Sequence, residues 1–127
     1  DDAEWFEGLQ KRWFPVVADV SAKLNDAHFV TTDEVLTEFL AHLSSWGPHY
    51  RRAAVELVRT VLEDEDVTVI PQSRESFLGG LDLFAKRLDK GYSLVDCISM
   101  NAMRTEGISE VFTNDRHFEQ EGFVPLV

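Results

Sequence analysis

Cysteine is nearly absent from this chain: Cys97 stands alone among 127 residues, so no intrachain disulfide can form. That excludes a disulfide-stapled scaffold and fits a reducing compartment, with the cytoplasm as the default location. Long apolar runs are absent too. None approaches the ~18 residues that cross a bilayer, and Asp1-Asp2 stand where a secretory signal would carry positive charge. Positive charge is scarce as well, with 12 Lys and Arg against 23 Asp and Glu for a formal net charge of −11. Such an excess repels polyanions at long range, so charge alone argues against nucleic acid unless divalent cations offset the acids where a phosphate approaches. It equally suits a basic protein partner. There is no internal repeat, low-complexity segment or Gly-rich nucleotide fingerprint.

A chain of this length can bury a core without disulfides or structural metal, so one domain spanning 1–127 is expected. Helical periodicity is strong. Between about Ala3 and Leu24 the residues Trp5, Leu9, Trp13, Val16, Val17, Val20 and Leu24 recur at three- and four-residue steps, with Pro15 as a kink or break. A second stripe of Val35, Leu36, Phe39, Leu40 and Leu43 has Thr31 or Thr32 as N-cap and Gly47-Pro48 as its stop. A third helix, roughly His49 to Leu62, packs through Tyr50, Ala54, Leu57, Val58 and Val61. A fourth begins at Ser73 and carries Phe77, Leu81, Phe84 and Leu88 before ending near Gly91. Each stripe covers about a third of its helix, the pattern of a surface helix on a core. Ser93 opens a fifth helix, with Leu94, Val95, Ile98 and Ala102 on one face and Gly107 as its C′ residue.

Four short runs have strand composition: His28–Val30, Val67–Ile70, Glu110–Thr113 and Phe123–Leu126. Strands alternating with helices predict an α/β fold, a mostly parallel sheet covered on both faces. In such folds sites form at strand C-terminal ends and helix starts. Asp96, three residues into the fifth helix, and Asp115, just past the third strand, occupy such places. Glu38, early in the second helix, can converge with them on a hard metal ion. Oxygen ligands suit Mg²⁺ or Mn²⁺, and two or three carboxylates leave positions for water and a phosphate oxygen.

Each acid also has an ordinary reading. Glu38 lies roughly 140° from the centre of its apolar stripe, at ~100° per residue, and reads as solvated. Asp96 completes a Ser-x-x-Asp arrangement that favours a helix N-terminus. Asp115, in Thr113-Asn114-Asp115-Arg116, reads as a turn residue. Thr113 is placed to hold a water or a phosphate oxygen, though an ordinary strand threonine is the simpler reading. The four histidines show no close-spaced zinc-hydrolase pair, and scattered surface positions explain them. Cys97 reads as a small buried residue, and Gly79-Gly80 as a point of close helix packing.

Taken together, these segments resemble a known family. Tyr92-Ser93-Leu94-Val95-Asp96-Cys97, the 19 residues from Asp96 to Asp115, and Thr113-Asn114-Asp115-Arg116-His117-Phe118 followed by Gly122-Phe123 are similar to the C-terminal half of PIN-domain proteins. The nearest likeness is to the VapC-type toxins of toxin–antitoxin pairs. Val30-Thr31-Thr32-Asp33-Glu34-Val35-Leu36-Thr37-Glu38 resembles that family's second motif, with Glu38 in the acidic position. The resemblance implies a PIN-like three-layer αβα fold and acids clustered around Mg²⁺ or Mn²⁺. It implies endonucleolytic RNA cleavage, frequent homodimers and inhibition by a small antitoxin. Carried over, Glu38, Asp96 and Asp115 form the catalytic and metal-binding cluster. Asp96 and Asp115 are the direct ligands ahead of Glu38, which positions a water or supports the ligands from behind, and Thr113 assists.

One feature departs from the pattern. The family opens with a mid-sheet strand ending in aspartate, and nothing before Trp5 can be that strand, so an upstream strand is expected in the intact protein. Neither Asp1 nor Asp2 is assigned its ligand role. The functions left open are a metal-dependent ribonuclease, a PIN-like module that binds protein without catalysis, and, less favoured, a structure-specific DNA nuclease.

Overall fold

The computed structural model describes residues 28–111 and 116–125. The helix expected between Ala3 and Leu24 lies outside these residues, as do Asp1, Asp2, Thr113 and Asp115. The described elements alternate as strand β1 (Phe29–Thr32), helices α1 (Asp33–Leu43) and α2 (Pro48–Glu63), and strand β2 (Val67–Ile70). They continue with helices α3 (Arg74–Lys86) and α4 (Leu94–Thr105), strand β3 (Glu110–Val111), helix α5 (Arg116–Gln120) and strand β4 (Val124–Pro125).

Both strand pairings are parallel. β1 pairs with β2 from Phe29 opposite Val67 to Thr32 opposite Ile70, and β3 pairs with β4 through Glu110–Val124 and Val111–Pro125. The α/β reading holds, with the parallel strands as two separate pairs among the described residues. Parallel neighbours need a crossover, supplied by α1 and α2 in the first pair and by α5 in the second. Helix α4 packs against β1, α1, α3 and α5, which makes it the element that joins the two halves.

Local chemistry sets the helix ends. Thr32 accepts a hydrogen bond from the Val35 amide at 3.2 Å and starts α1. Pro48, expected as the stop of α1, instead occupies the first turn of α2, where its fixed φ and missing N–H suit the helix start. Ser73 and Ser76 exchange hydrogen bonds at the start of α3. Gly107, at φ +70, follows α4 in the left-handed region that glycine enters without strain. The short helix α5 was not foreseen. Its five residues give periodicity too little to act on.

Two apolar clusters form. One gathers Leu36, Phe39 and Leu43 of α1 with Ala54 and Leu57 of α2. The other gathers Leu83, Tyr92, Cys97, Met100 and Phe123. Cys97 is fully buried as expected, and burial pushes its thiol pKa up. Gly80 explains how α3 and α4 come so close, because a Cβ there would stand 2.5 Å from Ile98 Cγ1. The stripe on α3 is a correction. Phe77, Leu81 and Phe84 are exposed, as is Leu88 just past the helix end, and the buried residues of that helix are Gly80 and Leu83. Periodicity finds an apolar face but does not say which way it turns, and the Gly80 contact turns it away from the core.

Candidate active site

The first turn of α4 fixes Asp96. Ser93 Oγ accepts from the Asp96 amide at 3.0 Å, and Asp96 Oδ2 accepts from the Ser93 amide at 3.0 Å, forming a reciprocal capping box. The ordinary reading of Asp96 as a capping residue is therefore correct. Asp96 also has a second, long-range partner: His117 Nδ1 lies 3.0 Å from the same Oδ2. An ionised carboxylate only accepts, so Nδ1 is the protonated ring nitrogen in this pair. No described residue donates to Oδ1 of Asp96.

Glu38 enters the site from α1. The residue is exposed overall, yet its carboxyl pKa is raised, first by partial desolvation and second by the negative charge of Asp96. The structure thus brings Glu38 and Asp96, 58 positions apart in sequence, into one electrostatic environment. Among the described residues no group of three or more His, Cys, Asp and Glu could hold a metal ion. The third expected acid, Asp115, lies outside them together with Thr113.

His117, which the sequence offers only as a scattered histidine, is half-buried, and its ring lies 5.3 Å from that of Tyr92. Its helix is anchored by Glu121, a residue with no local motif to mark it. Glu121 is only 5% exposed at its side chain, and Arg87 grips it through both oxygens, Nε to Oε1 at 2.7 Å and Nη2 to Oε2 at 3.0 Å. Arg104 Nη2 adds a 2.6 Å contact to Oε2, and the Tyr92 hydroxyl donates to Oε1 at 3.2 Å. These donors, led by Arg87, hold the Glu121 pKa down at about 2. A chain of polar contacts therefore runs from Arg87 and Arg104 through Glu121 to the end of α5, and from His117 on α5 to Asp96. The spacing between Glu121 and its arginines follows no helical or strand period, so only the folded chain reveals it.

Parallel strands alternating with helices define an α/β protein, with Asp96 in the first turn of α4. The profile of the PIN domain family matches residues 16–123, and the chain belongs to that family. Among solved structures it is similar to VapC20 of Mycobacterium tuberculosis, a sarcin-ricin-loop-cleaving toxin, with a TM-score of 0.72 and 25% sequence identity over 86% of this chain and 82% of that one. No curated protein matches the chain. The expected PIN fold and VapC-type likeness are both borne out.

Proposed function

We propose that the chain is a divalent-metal-dependent endoribonuclease, the toxin of a type II toxin–antitoxin pair, acting in the cytoplasm. The observation that carries this reading is the pairing of Glu38 with Asp96, because a capping role for Asp96 needs no second acid beside it. Glu38, whose pKa is raised by partial desolvation and then by the charge of Asp96, supplies with Asp96 a pair of oxygen donors suited to Mg²⁺ or Mn²⁺. Asp96 and Asp115 would hold the ion, with Glu38 orienting a water beside it and Thr113 supporting a water or a phosphate oxygen. When bound, such an ion lowers the pKa of water and offsets charge on a phosphate in an in-line displacement.

The chain's own residues do the positioning. Ser93 and His117 fix Oδ2 of Asp96 from two directions, which restricts the carboxylate to one rotamer. Glu121 keeps α5, and with it His117, in place. Fixing a ligand through a second residue is how protein sites tune metal affinity.

RNA cleavage that needs Mg²⁺ or Mn²⁺, stops with chelator and is lost in Asp96→Asn is the expected outcome. Retained partner binding with no cleavage under any metal would instead make the domain a protein-binding module. The partner we propose is a small basic antitoxin that sets Arg or Lys near Asp96 and Asp115, matching the net charge of −11. Its binding weakens as salt rises. A salt-insensitive complex would contradict that arrangement.

A further inference from the structure

The corner between α1 and α2 carries a train of four rings. His42, in the last turn of α1, lies 5.5 Å from Trp46 between centroids, Trp46 lies 5.6 Å from Tyr50, and Tyr50 lies 5.3 Å from His49. These neighbours brace Trp46, yet the indole stays 43% exposed and belongs to neither apolar cluster. One exposed ring is ordinary by itself. Position and charge set this one apart.

Glu38 and His42 are four residues apart on α1, so they share a face one helical turn, about 5.4 Å, from each other. The rings therefore begin one turn beyond an acid of the candidate active site. Between Glu38 and Glu63 the chain carries Arg51, Arg52 and Arg59 against Glu56 alone, a net of +2 in a chain of −11. The arginines nearest the rings are held in place. Arg51 donates from its amide to the Gly47 carbonyl at 3.0 Å and from Nη1 to the Ser44 carbonyl at 2.7 Å, on either side of Trp46 in sequence. Arg51 and Arg52 are both exposed, and among the described residues neither forms an ion pair. Helix α2 also opens with no acid in its first turn, so the positive end of its dipole adds to theirs.

We propose that this corner is a holding site for single-stranded RNA beside the acids, with a base stacked on Trp46 and the adjoining phosphates on Arg51 and Arg52. A strand that carries a base and a phosphate on every unit uses the rings and the arginines together. A basic protein is repelled here, and an acidic peptide uses only the arginines. Duplex RNA keeps its bases stacked inside and offers Trp46 no free face. The corner also answers the repulsion that the net charge imposes, because it gives a polyanion a local positive surface next to the site. The choice of RNA rests on the ribonuclease reading, whereas the stacking itself needs neither metal nor cleavage.

Fluorescence anisotropy of a labelled twelve-residue oligouridylate, titrated with the full chain in chelator at low salt, tests it. The parent should bind the single strand more tightly than a duplex RNA of the same length. Trp46→Leu, which keeps an apolar side chain but loses the aromatic face, should weaken binding about tenfold, and Trp46→Phe should recover part of that loss. Arg51→Gln and Arg52→Gln should each weaken binding and lower the slope of log K against log salt by about 0.7, one phosphate contact on a single strand. Circular dichroism and the melting temperature of each variant establish that it remains folded. Equal affinity of the parent and a folded Trp46→Leu for the oligouridylate would overturn the proposal, as would equal affinity of the parent for single strand and duplex. So would loss of binding to a basic protein partner in Trp46→Leu with RNA binding unchanged. Stacking on Trp46 without cleavage under any metal would defeat the nuclease reading alone, and cleavage with a KM unmoved by Trp46→Leu would defeat the holding site alone.

Discussion

The two halves of the molecule are held together by different physics. Around α1 and α2 the core is wholly apolar, with Phe39 and Leu43 packed between Leu36, Ala54 and Leu57. Around α4 and α5 an apolar cluster surrounds a buried carboxylate, Glu121, gripped by two arginines and a tyrosine. The first arrangement tolerates any close-packed filling, whereas the second fixes orientation, because Arg87 can engage both Glu121 oxygens in only one geometry. The candidate site lies where the halves meet. Glu38 comes from the apolar half, and Asp96 with His117 comes from the half whose orientation is fixed.

Substitutions sharpen this contrast. The largest loss is expected from Phe39→Ala, which empties a fully buried ring position and should cost about 3–5 kcal/mol in urea unfolding, independent of pH. Glu121→Gln comes next. Breaking a buried pair costs about 3–5 kcal/mol, but both guanidinium groups reach solvent, so about 2–3 kcal/mol is expected here. The pH dependence separates the two. With its pKa lowered from 4.5 to about 2, Glu121 contributes stability that is fully present above about pH 4.5 and fades as pH falls toward 2. Glu121→Gln should flatten that acid slope, and Phe39→Ala should leave it unchanged. Equal slopes in the parent and Glu121→Gln would remove the contrast between the halves.

What could be read from sequence follows the same division. The stripe of Leu36, Phe39 and Leu43, the cap at Thr32, the capping box of Ser93 and Asp96, and the close approach at Gly80 all rest on neighbours within a few positions, and each was legible. Glu121 was not, because its partners Arg87 and Arg104 lie 34 and 17 residues away with no period linking them. His117 was missed for the same reason, its contact with Asp96 being 21 residues distant. The outward turn of Phe77, Leu81, Phe84 and Leu88 was misread because a helical wheel gives the width of an apolar face and not its direction. For the acids, the family likeness supplied the grouping that periodicity denied, since Glu38 taken alone reads as solvated.

Smaller effects probe the junction. His117→Ala should weaken Mn²⁺ binding by about 10–100-fold in calorimetry, the usual cost of losing a group that orients a ligand. His117→Asn, whose amide nitrogen can replace Nδ1 toward Asp96, should recover much of that loss. No recovery, or no loss in His117→Ala, would mean that the 3.0 Å contact does not serve the site. The smallest effect belongs to Glu38→Gln. An acid whose pKa is raised by folding penalises the folded state once it ionises, so removing the charge should leave the metal-free protein as stable or a few tenths of a kcal/mol more stable at neutral pH, given the screening at this exposed residue. A clear loss of metal-free stability would show that Glu38 is not under repulsion from Asp96.

Thermal unfolding in chelator and then in Mn²⁺, across the parent, Glu38→Gln, Asp96→Asn and Asp115→Asn, tests most directly whether these three acids share one ion. An ion that binds only the folded form must raise the melting temperature by mass action. The parent should therefore show a metal-induced rise, Asp96→Asn and Asp115→Asn should abolish it, and Glu38→Gln should reduce it. Asp115→Asn in chelator should be as stable as the parent or slightly more so. A metal-induced rise of the same size in all four proteins would contradict the shared site.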